Sequence, residues 1–351
     1  MAKQFALIEM TASDPFERGV QYGEQAKEAI DMCVNHYKEE FTQNGQSWET
    51  IKRFSVQFVD AIRRQAPRAL EEAKGIAAGS GKSLEEIMVV NCRYEISKFP
   101  KVPECTTAAI LPPAGRDGKM YVIKNWDYDD RIAGHVVLLK IKNDDGYSAF
   151  GITEAGQMVR DGLNCHGVSF VNNNLQSTMD TPSIGLPNTF MRKKIWEAKT
   201  FEEACEITTT DGRSVSLNTL VGHSSGKALN FEVYPGGANT LEPKNNILTH
   251  ANHFVKTPEI DFFVNSPKNR DSRLYELLDR KNGDITVEYI MECMKDHEYH
   301  PLSICSHSHE DSNGKWKHRS TVAGVIMNLS DNEIHVCVEH PCTNEYVKYS
   351  L

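Results

Sequence analysis

Cys105 opens the strand-like stretch CTTAAIL, in which a cysteine and two threonines precede a short apolar run. Cysteine is the most nucleophilic side chain near neutral pH, but its thiol must first lose a proton to a base. No papain-type signature, which would supply a histidine for this purpose, surrounds Cys105. Two interpretations are therefore open: a buried cysteine of the core, which is the common case for a free thiol, or a nucleophile with another kind of base.

Such a base becomes available if the chain is cut between Glu104 and Cys105. Cys105 would then carry a free α-amine, whose pKa in model compounds is about 7.7–8.0. This amine is able to take the proton of the thiol and to return it later to a leaving amine. One residue would then act as nucleophile and base, held at the end of a buried strand.

Two other stretches contain residue types that bind ligands in many proteins. GSGKS, at residues 79–83, resembles part of a phosphate-binding loop, but Ile76 stands where that loop needs glycine and a helix precedes it. DHEYHPLSICSHSHE contains zinc-ligand types but lacks the paired spacings of zinc motifs. We therefore predict no nucleotide site, no metal and no cofactor, and we expect a surface or packing role for His297, His300, Cys305, His307 and His309.

The elements that would position these residues change character at Cys105. Residues 14–97 show the amphipathic pattern of helices, with a capping box from Ser83 to Glu86. After Cys105 come β-rich runs separated by turn signals, then alternating groups of helices and strands, and a closing hairpin. Asn172–Asn174, taken alone, predicts a turn. Elements grouped in this way favour stacked layers over an alternating parallel sheet.

The composition is that of an ordinary globular protein of 351 residues with a formal net charge of −9. This acidic balance argues against nucleic-acid binding, which usually comes with an excess of basic residues. No apolar stretch reaches the length of about 18 residues that a membrane-spanning helix needs, and no secretory signal is visible. The nine cysteines include no C-x-x-C pair, so we expect reduced thiols in a cytoplasmic protein.

Several stretches after residue 104 resemble, in the same order, one known family. They are CTTAAILPPAGRDGKMYVIKNWDYDD, AFGITEAGQMVRDGLNCHGVSFVNNNL, ILTHANHF, NRDSRLYELL, HPLSICSH and TVAGVIMNLSDNEIHVCVEHPC. The family is that of acyl-coenzyme A:isopenicillin N acyltransferase, a group of self-processing N-terminal-nucleophile (Ntn) hydrolases more distantly similar to penicillin V acylase and bile salt hydrolase. The resemblance implies an α+β fold of four layers, an αββα sandwich of two antiparallel sheets with outer helices.

The resemblance also implies cleavage before Cys105. The products would be a helical propeptide of residues 1–104 and a part of residues 105–351, which together form one domain. Glu104 departs from the glycine that precedes the nucleophile in the acyltransferase that names the family. Glycine relaxes the strained backbone that helps a thiol attack the preceding carbonyl. Glutamate at position 104 is therefore expected to affect the rate of processing but not its chemistry. Lys124 departs as well, since the bile salt hydrolase branch has arginine there.

The roles of site residues carry over by motif. Asp127, in KNWDY, matches the aspartate that orients the new α-amine, and Asn252, in THANHF, matches the asparagine whose amide N–H points at the oxyanion. Arg273, in DSRLYELL, matches the arginine near the nucleophile, where it would lower the pKa of the thiol or hold Asp127. A second oxyanion donor is expected from a backbone N–H near Asn173 and Asn174. The hydroxyl of Thr107 is expected to assist self-cleavage.

We therefore predict an enzyme that opens a linear carbon–nitrogen amide bond through a thioester on Cys105. Attack by water would make it a hydrolase, which we favour because no coenzyme A signature is visible, and attack by an amine would make it an acyltransferase. The rival is a binding protein that is never processed, in which Asp127 is a solvated carboxylate, Arg273 a helix-surface residue and Asn252 a turn cap. The expected partners are a small amide or acyl substrate and the propeptide fragment, without nucleic acid or membrane; a homo-oligomer is left open.

Overall fold

A computed structural model describes residues 2–97, 105–181, 183–262 and 268–351, with the side chain of Asp117 excepted. The first range is mainly helical, as its periodicity predicts. It holds one strand, β1 (Ala6–Met10), and the helices α1 (Pro15–Gln25), α2 (Lys27–Gln43), α3 (Trp48–Ser55), α4 (Val59–Gln65), α5 (Pro67–Ser80) and α6 (Leu84–Ile96). Glu104, on one side of the predicted cleavage point, lies outside the described residues.

Local sequence signals fix the ends of these helices. Asp14 accepts a hydrogen bond from the backbone N–H of Glu17 at 3.0 Å, and a proline follows at the start of α1. The predicted capping box is present, since the backbone N–H of Glu86 donates to Ser83 Oγ at 3.2 Å and that of Ser83 donates to the Glu86 carboxylate at 3.0 Å. GSGKS covers the last residues of α5 and the turn before α6, whereas a phosphate-binding loop follows a strand.

Helices α1 and α5 approach so closely that their backbones touch. A Cβ atom on Gly19 would come within 2.1 Å of the carbonyl oxygen of Glu72, and one on Gly75 within 2.0 Å of the carbonyl oxygen of Phe16. Only glycine fits at such positions. The close contact encloses an ion pair of 2.5 Å between Arg18 and Glu72.

The described residues from Cys105 onward contain fifteen strands and four further α-helices. The strands are β2 (Thr106–Ile110), β3 (Tyr121–Tyr128), β4 (Val136–Lys142), β5 (Ser148–Glu154), β6 (Asp161–Asn164), β7 (Val168–Asn174), β8 (Leu217–His223), β9 (Lys227–Tyr234), β10 (Gly237–Leu241), β11 (Ile247–His250), β12 (His309–Glu310), β13 (Trp316–Lys317), β14 (Ser320–Asn328), β15 (Glu333–Val338) and β16 (Tyr346–Ser350). The helices are α7 (Asn188–Trp196), α8 (Phe201–Thr209), α9 (Arg270–Asp279) and α10 (Val287–Cys293).

The longer strands form two sheets. One has eight strands in the order β1-β4-β5-β6-β7-β8-β9-β10, and the other has six in the order β11-β2-β3-β14-β15-β16. Neighbouring strands run antiparallel, except that β1 lies parallel to β4 with Ile8 opposite Leu139. This parallel edge was not predicted, because its two strands are far apart in the sequence and no local pattern links them.

Three apolar clusters define four layers. One cluster lies between the eight-stranded sheet and the helices α1–α8, a second between the two sheets, and a third between the six-stranded sheet and the helices α9 and α10. Successive residues of β3 point to opposite faces of the sheet, so Val122 packs between the sheets and Ile123 packs against the helices. The predicted αββα sandwich is confirmed.

The asparagine run 172–174 forms the end of β7 rather than the predicted turn. The side chain of Asn172 is buried and donates to the backbone carbonyl of Arg160 at 2.8 Å, and Asn173 is likewise buried and bonded. Partners from neighbouring strands thus outweigh the local preference of asparagine for turns. In the described part of the chain, no helix combines the length and apolarity needed to cross a bilayer.

Candidate active site

Cys105 lies buried directly before β2, on the strand pair β2–β3 of the six-stranded sheet. Antiparallel pairing sets Thr106 opposite Asn125, so the chain at Cys105 runs alongside the end of β3. The Sγ atom lies 3.6 Å from the backbone carbonyl oxygen of Asp127 and donates to it. The structure thus brings the thiol beside the aspartate that the sequence selects.

Asn173 connects the backbone of Cys105 to the opposite sheet. Its Nδ2 donates to the carbonyl oxygen of Cys105 at 3.2 Å. Its Oδ1 accepts from Thr107 Oγ1 at 2.8 Å and from Asn218 Nδ2 at 2.8 Å. All of these side chains are buried, so each bond is made away from water and holds the first residues of β2 in place.

The carboxylate of Asp127 is held from two sides. Thr321, on β14, donates its hydroxyl to Oδ1 at 2.6 Å, and the guanidinium of Arg270 lies 3.6 Å from Oδ2. The hydroxyl of Thr321 is itself fixed, because it accepts from the backbone N–H of Ser306 at 2.9 Å. Asp127 is therefore a buried, oriented carboxylate and not a solvated strand end.

Arg270 also connects Asp127 to Asn252. Its Nη2 donates to Asn252 Oδ1 at 3.0 Å, and both residues are buried. This bond fixes the amide of Asn252 so that Nδ2 faces β7, where it donates to the carbonyl oxygen of Asn174 at 2.8 Å. An amide nitrogen carries two protons, so Asn252 has a second N–H beside the one used here.

The structure does not bring Arg273 into this group. Its guanidinium contacts Asp296 at 2.6 Å and Glu276 at 3.4 Å, and the hydrogen bonds that it donates to Asp296 raise the pKa of Arg273. Arg270, in the same stretch NRDSR, takes the place beside Asp127. Three residues displace a side chain by about 4.5 Å along a helix, so the start of α9 decides which arginine reaches the site.

Two further cations lie near the thiol. Lys124, on β3, forms a fully buried ion pair of 2.6 Å with Asp161. Burial lowers the pKa of Lys124, and the charges of Asp161 and Cys105 only partly offset this effect. The guanidinium of Arg160 lies 4.3 Å from the ring centre of Trp126 and is also electrostatically coupled to Cys105. Both cations therefore interact electrostatically with Cys105 while each is also paired with a carboxylate, Lys124 with Asp161 and Arg160 with Glu154.

Sequence reasoning missed Arg270, Thr321, Arg160 and Asp161. Arg270 could have been found from the sequence, because it stands in the same motif as Arg273. The other three have no local signal, since they reach the site only through the pairing of β3 with β14 and the facing of the two sheets. Together with Cys105, the group combines a thiol, a fixed carboxylate and amide donors, which is the equipment of acyl-transfer chemistry.

The chain belongs to the acyl-coenzyme A:6-aminopenicillanic acid acyl-transferase family, whose model matches residues 114–342. Cys105 lies shortly before the matched range. The chain is also 27% identical over 307 residues to the 40 kDa form of the acyl-coenzyme A:6-aminopenicillanic-acid-acyltransferase of Emericella nidulans, with 83% of this chain and 82% of that protein covered. It is therefore an enzyme of the acyl-transferring and amide-hydrolysing type.

Solved structures similar to this chain include the following three proteins. The Caenorhabditis elegans ortholog of N-acylethanolamine-hydrolyzing acid amidase has 15% identity and a TM-score of 0.47, over 64% of this chain and 93% of that one. A conjugated bile acid hydrolase from Clostridium perfringens has 12% identity and a TM-score of 0.44, over 70% and 97%. Penicillin V acylase from Agrobacterium tumefaciens has 11% identity and a TM-score of 0.49, over 70% and 86%.

Proposed function

We propose that this protein cuts its own Glu104–Cys105 bond and then uses the exposed N-terminal cysteine to hydrolyse amides of small molecules. The observation that carries the proposal is the placement of Cys105 at the head of β2. Its thiol donates to the backbone carbonyl of Asp127, a residue whose carboxylate is fixed by Thr321, and its own carbonyl accepts from Asn173. A purely structural cysteine would need neither a fixed carboxylate nor a buried amide at its backbone. The family to which the chain belongs supports the same chemistry.

In the proposed reaction the α-amine of Cys105 takes the proton of the thiol. The thiolate attacks the substrate carbonyl carbon, a carbon–sulfur bond forms, and the negative charge moves to the carbonyl oxygen. Collapse of this intermediate breaks the carbon–nitrogen bond, and the α-ammonium returns the proton to the leaving amine. Water then adds to the thioester, which releases the carboxylic acid and regenerates the thiol.

The remaining residues stabilise charge and position in this scheme. The free N–H of Asn252 and a backbone N–H near Asn173 and Asn174 bind the oxyanion, where a single donor contributes about 3–4 kcal/mol to catalysis. Asp127 orients the α-amine. The role that the resemblance gives to Arg273 falls to Arg270, because Arg270 contacts both Asp127 and Asn252.

The proposal treats residues 1–104 as a propeptide that stays bound after cleavage. Its strand β1 is part of the eight-stranded sheet, through its pairing with β4. In addition, Arg93 of α6 forms a fully buried ion pair of 2.5 Å with Glu154 of β5. Separation would expose this charge pair and an unpaired strand edge, so cutting one peptide bond leaves the two parts associated.

Acyl transfer is the second candidate, and the match to the Emericella nidulans acyltransferase favours it. The same thioester would then be attacked by an amine instead of water. The two outcomes are distinguished by supplying a small N-acyl amide with and without hydroxylamine as acceptor. Free acid as the main product under both conditions supports hydrolysis, whereas a hydroxamate that dominates at low acceptor concentration supports transfer.

Mass spectrometry of the purified protein tests the cleavage itself. The intact chain has a mass of 39.5 kDa, and processing gives two fragments, the larger beginning Cys-Thr-Thr-Ala-Ala. Cys105→Ala serves as the matched control and stays a single chain without amidase activity. A wild-type protein that is active as one uncut chain contradicts the proposal, because the α-amine would then not exist.

A further inference from the structure

A second cluster of reactive side chains lies where the segment after α10 meets the end of the β14–β15 hairpin. It consists of His297, Cys305, His307 and Cys342, whose ligand atoms all lie within 4.8 Å of one another. His307 Nε2 is the centre of the group, at 3.0 Å from His297 Nε2, 3.4 Å from Cys342 Sγ and 3.7 Å from Cys305 Sγ. The sequence stretch that we expected to pack without a metal contains three of these residues, and Cys342 comes from elsewhere.

The three distances from His307 Nε2 are close to the edge lengths of a zinc coordination tetrahedron. Zinc binds sulfur at about 2.3 Å and imidazole nitrogen at about 2.0–2.1 Å, so the ligand atoms of a tetrahedral Cys₂His₂ site lie about 3.3–3.8 Å apart. The two sulfur–nitrogen distances fall within this range, and the nitrogen–nitrogen distance is slightly shorter. Two thiols and two imidazoles are also one of the ligand sets that structural zinc sites use.

The surroundings of the four ligands suit a metal better than a solvated histidine cluster. The ring of His340 stacks on that of His307 with centroids 4.2 Å apart and planes 2° from parallel. Cys305 is fully buried, His307 and Cys342 are half-buried and His297 is exposed, so the group extends from the surface into the protein. An ion is therefore able to reach the ligands from solvent, with Cys305 holding it on the interior side.

The cluster joins two segments that no disulfide links in the described part of the chain. His297, Cys305 and His307 come from the stretch between α10 and β12, and Cys342 comes from the turn after β15. Ser306, between two of the ligands, donates its backbone N–H to Thr321, which in turn donates to Asp127. An ion at the cluster would therefore fix the support of the Asp127 carboxylate.

We propose that His297, Cys305, His307 and Cys342 bind one Zn²⁺ ion in a closed, structural site that tethers residues 297–307 to the end of the β14–β15 hairpin. Four protein ligands leave no open position for water or substrate, so the ion takes no part in bond breaking. The proposal does not depend on the proposed catalytic function, because none of the four residues is assigned a role in it.

The test measures zinc in protein purified without added metal, together with thiols counted in denaturant. We expect about one equivalent of zinc per chain and nine reactive thiols. In Cys342→Ser and in His297→Ala, the amount of zinc bound per chain should fall at least about tenfold, since removing one ligand of four opens the site. Cys165→Ser, which changes an exposed cysteine outside the cluster, is the matched control and should retain the zinc. Cys105→Ala should retain it as well, which separates the metal from processing.

A second measurement covers the case in which a ligand variant fails to fold. Zinc is removed from the wild-type protein with a chelator, and Co²⁺ is added as a spectroscopic probe. The visible spectrum should show tetrahedral coordination with thiolate ligands, and the Tm lowered by chelation should recover with Zn²⁺ but not with Mg²⁺.

Three results overturn the proposal. The first is a protein without zinc that takes up none when Zn²⁺ is supplied. The second is a thiol count of seven, that is nine minus two, with peptide mapping that identifies Cys305 and Cys342 as a disulfide. The third is bound zinc whose amount is unchanged in Cys342→Ser, because the ion would then lie elsewhere.

Discussion

The side-chain amide of Asn173 donates to the backbone carbonyl oxygen of Cys105 at 3.2 Å, across the interface between the two sheets. The contact links the end of β7 to the residue at which the chain is expected to cut itself. Because Asn173 also accepts from Thr107 and Asn218, its amide has a fixed orientation. A residue that the sequence, taken alone, marks as a turn former therefore positions the backbone of Cys105.

The first prediction concerns Asn173→Asp. The substitution keeps the size of the side chain and the acceptor for Thr107 and Asn218, but it replaces the donor to Cys105 by an oxygen. A carboxylate facing the carbonyl should destabilise the fold by about 1–3 kcal/mol and slow self-cleavage. The fraction of cut chain over time is measured by denaturing electrophoresis. Asn174→Ala, whose side chain makes none of these bonds, is the control, and equal cleavage rates in the two variants would contradict the prediction.

The second prediction separates the oxyanion role of Asn252 from a structural one. Asn252→Asp keeps an acceptor for Arg270 but has no N–H, whereas Asn252→Ala loses both. If the amide stabilises the oxyanion, both variants should lower turnover by about 10²–10³ with little change in substrate binding, since the donor acts in the transition state. The kinetics are measured on chains confirmed as cut. Turnover near the wild-type value in Asn252→Asp would assign Asn252 to structure alone.

The third prediction ranks the two arginines of α9. Arg270 is buried and contacts Asp127 and Asn252, whereas Arg273 is partly exposed and pairs with Asp296. Arg270→Gln should cost about 3–5 kcal/mol of stability and reduce turnover of the folded fraction, because it leaves buried partners uncompensated. Arg273→Gln should cost no more than about 1 kcal/mol and keep the activity. Urea unfolding measures the stability of both variants, and amidase assays measure their activity. Larger losses in Arg273→Gln than in Arg270→Gln would support the role that the sequence predicts for Arg273.

The fourth prediction is that His135 contributes to a decrease in the free energy of unfolding as the pH falls. Burial lowers the pKa of His135 from 6.5 to about 4, so the unfolded chain binds a proton at a higher pH than the folded chain does. Stability due to this residue is therefore complete above about pH 6.5 and is lost as the pH falls towards about 4, by up to about 3 kcal/mol. His135→Asn should flatten the decrease in unfolding free energy over this range. Parallel pH profiles for both proteins would contradict the assignment.

The fifth prediction is that the two fragments remain one particle after cleavage. Strand β1 pairs with β4, and the carboxylate of Glu154 is enclosed with Arg93 and Arg160. Burial raises the pKa of Glu154, but these two guanidinium groups outweigh it and bring the pKa to about 2, so the contact stays charged at neutral pH. Size-exclusion chromatography of the cut enzyme should give both fragments in one peak. An active larger fragment eluting alone would contradict this.

The sequence by itself determined the features that depend on near neighbours. The capping box at Ser83 and Glu86, the helices before residue 98 and the strand that begins after Cys105 all follow from short-range hydrogen bonding and apolar periodicity. The order of family motifs also predicted the αββα class, which the structure confirms, and it selected Cys105, Asp127 and Asn252, whose roles stay predictions. The helix cap, the helical range and the strand are found as predicted because each depends on residue types at neighbouring positions, whatever packs against them later.

Only the tertiary structure decided which residues meet. Asn173 joins Cys105 because the end of β7 faces β2, and Arg270 replaces Arg273 because of where α9 begins. Cys342 joins His307 across 35 positions of sequence, so neither the spacing nor the composition of the histidine-rich stretch shows the complete set of ligands. Contacts between distant segments depend on how sheets stack and strands pair, and that arrangement follows from burial across the whole core rather than from any local signal.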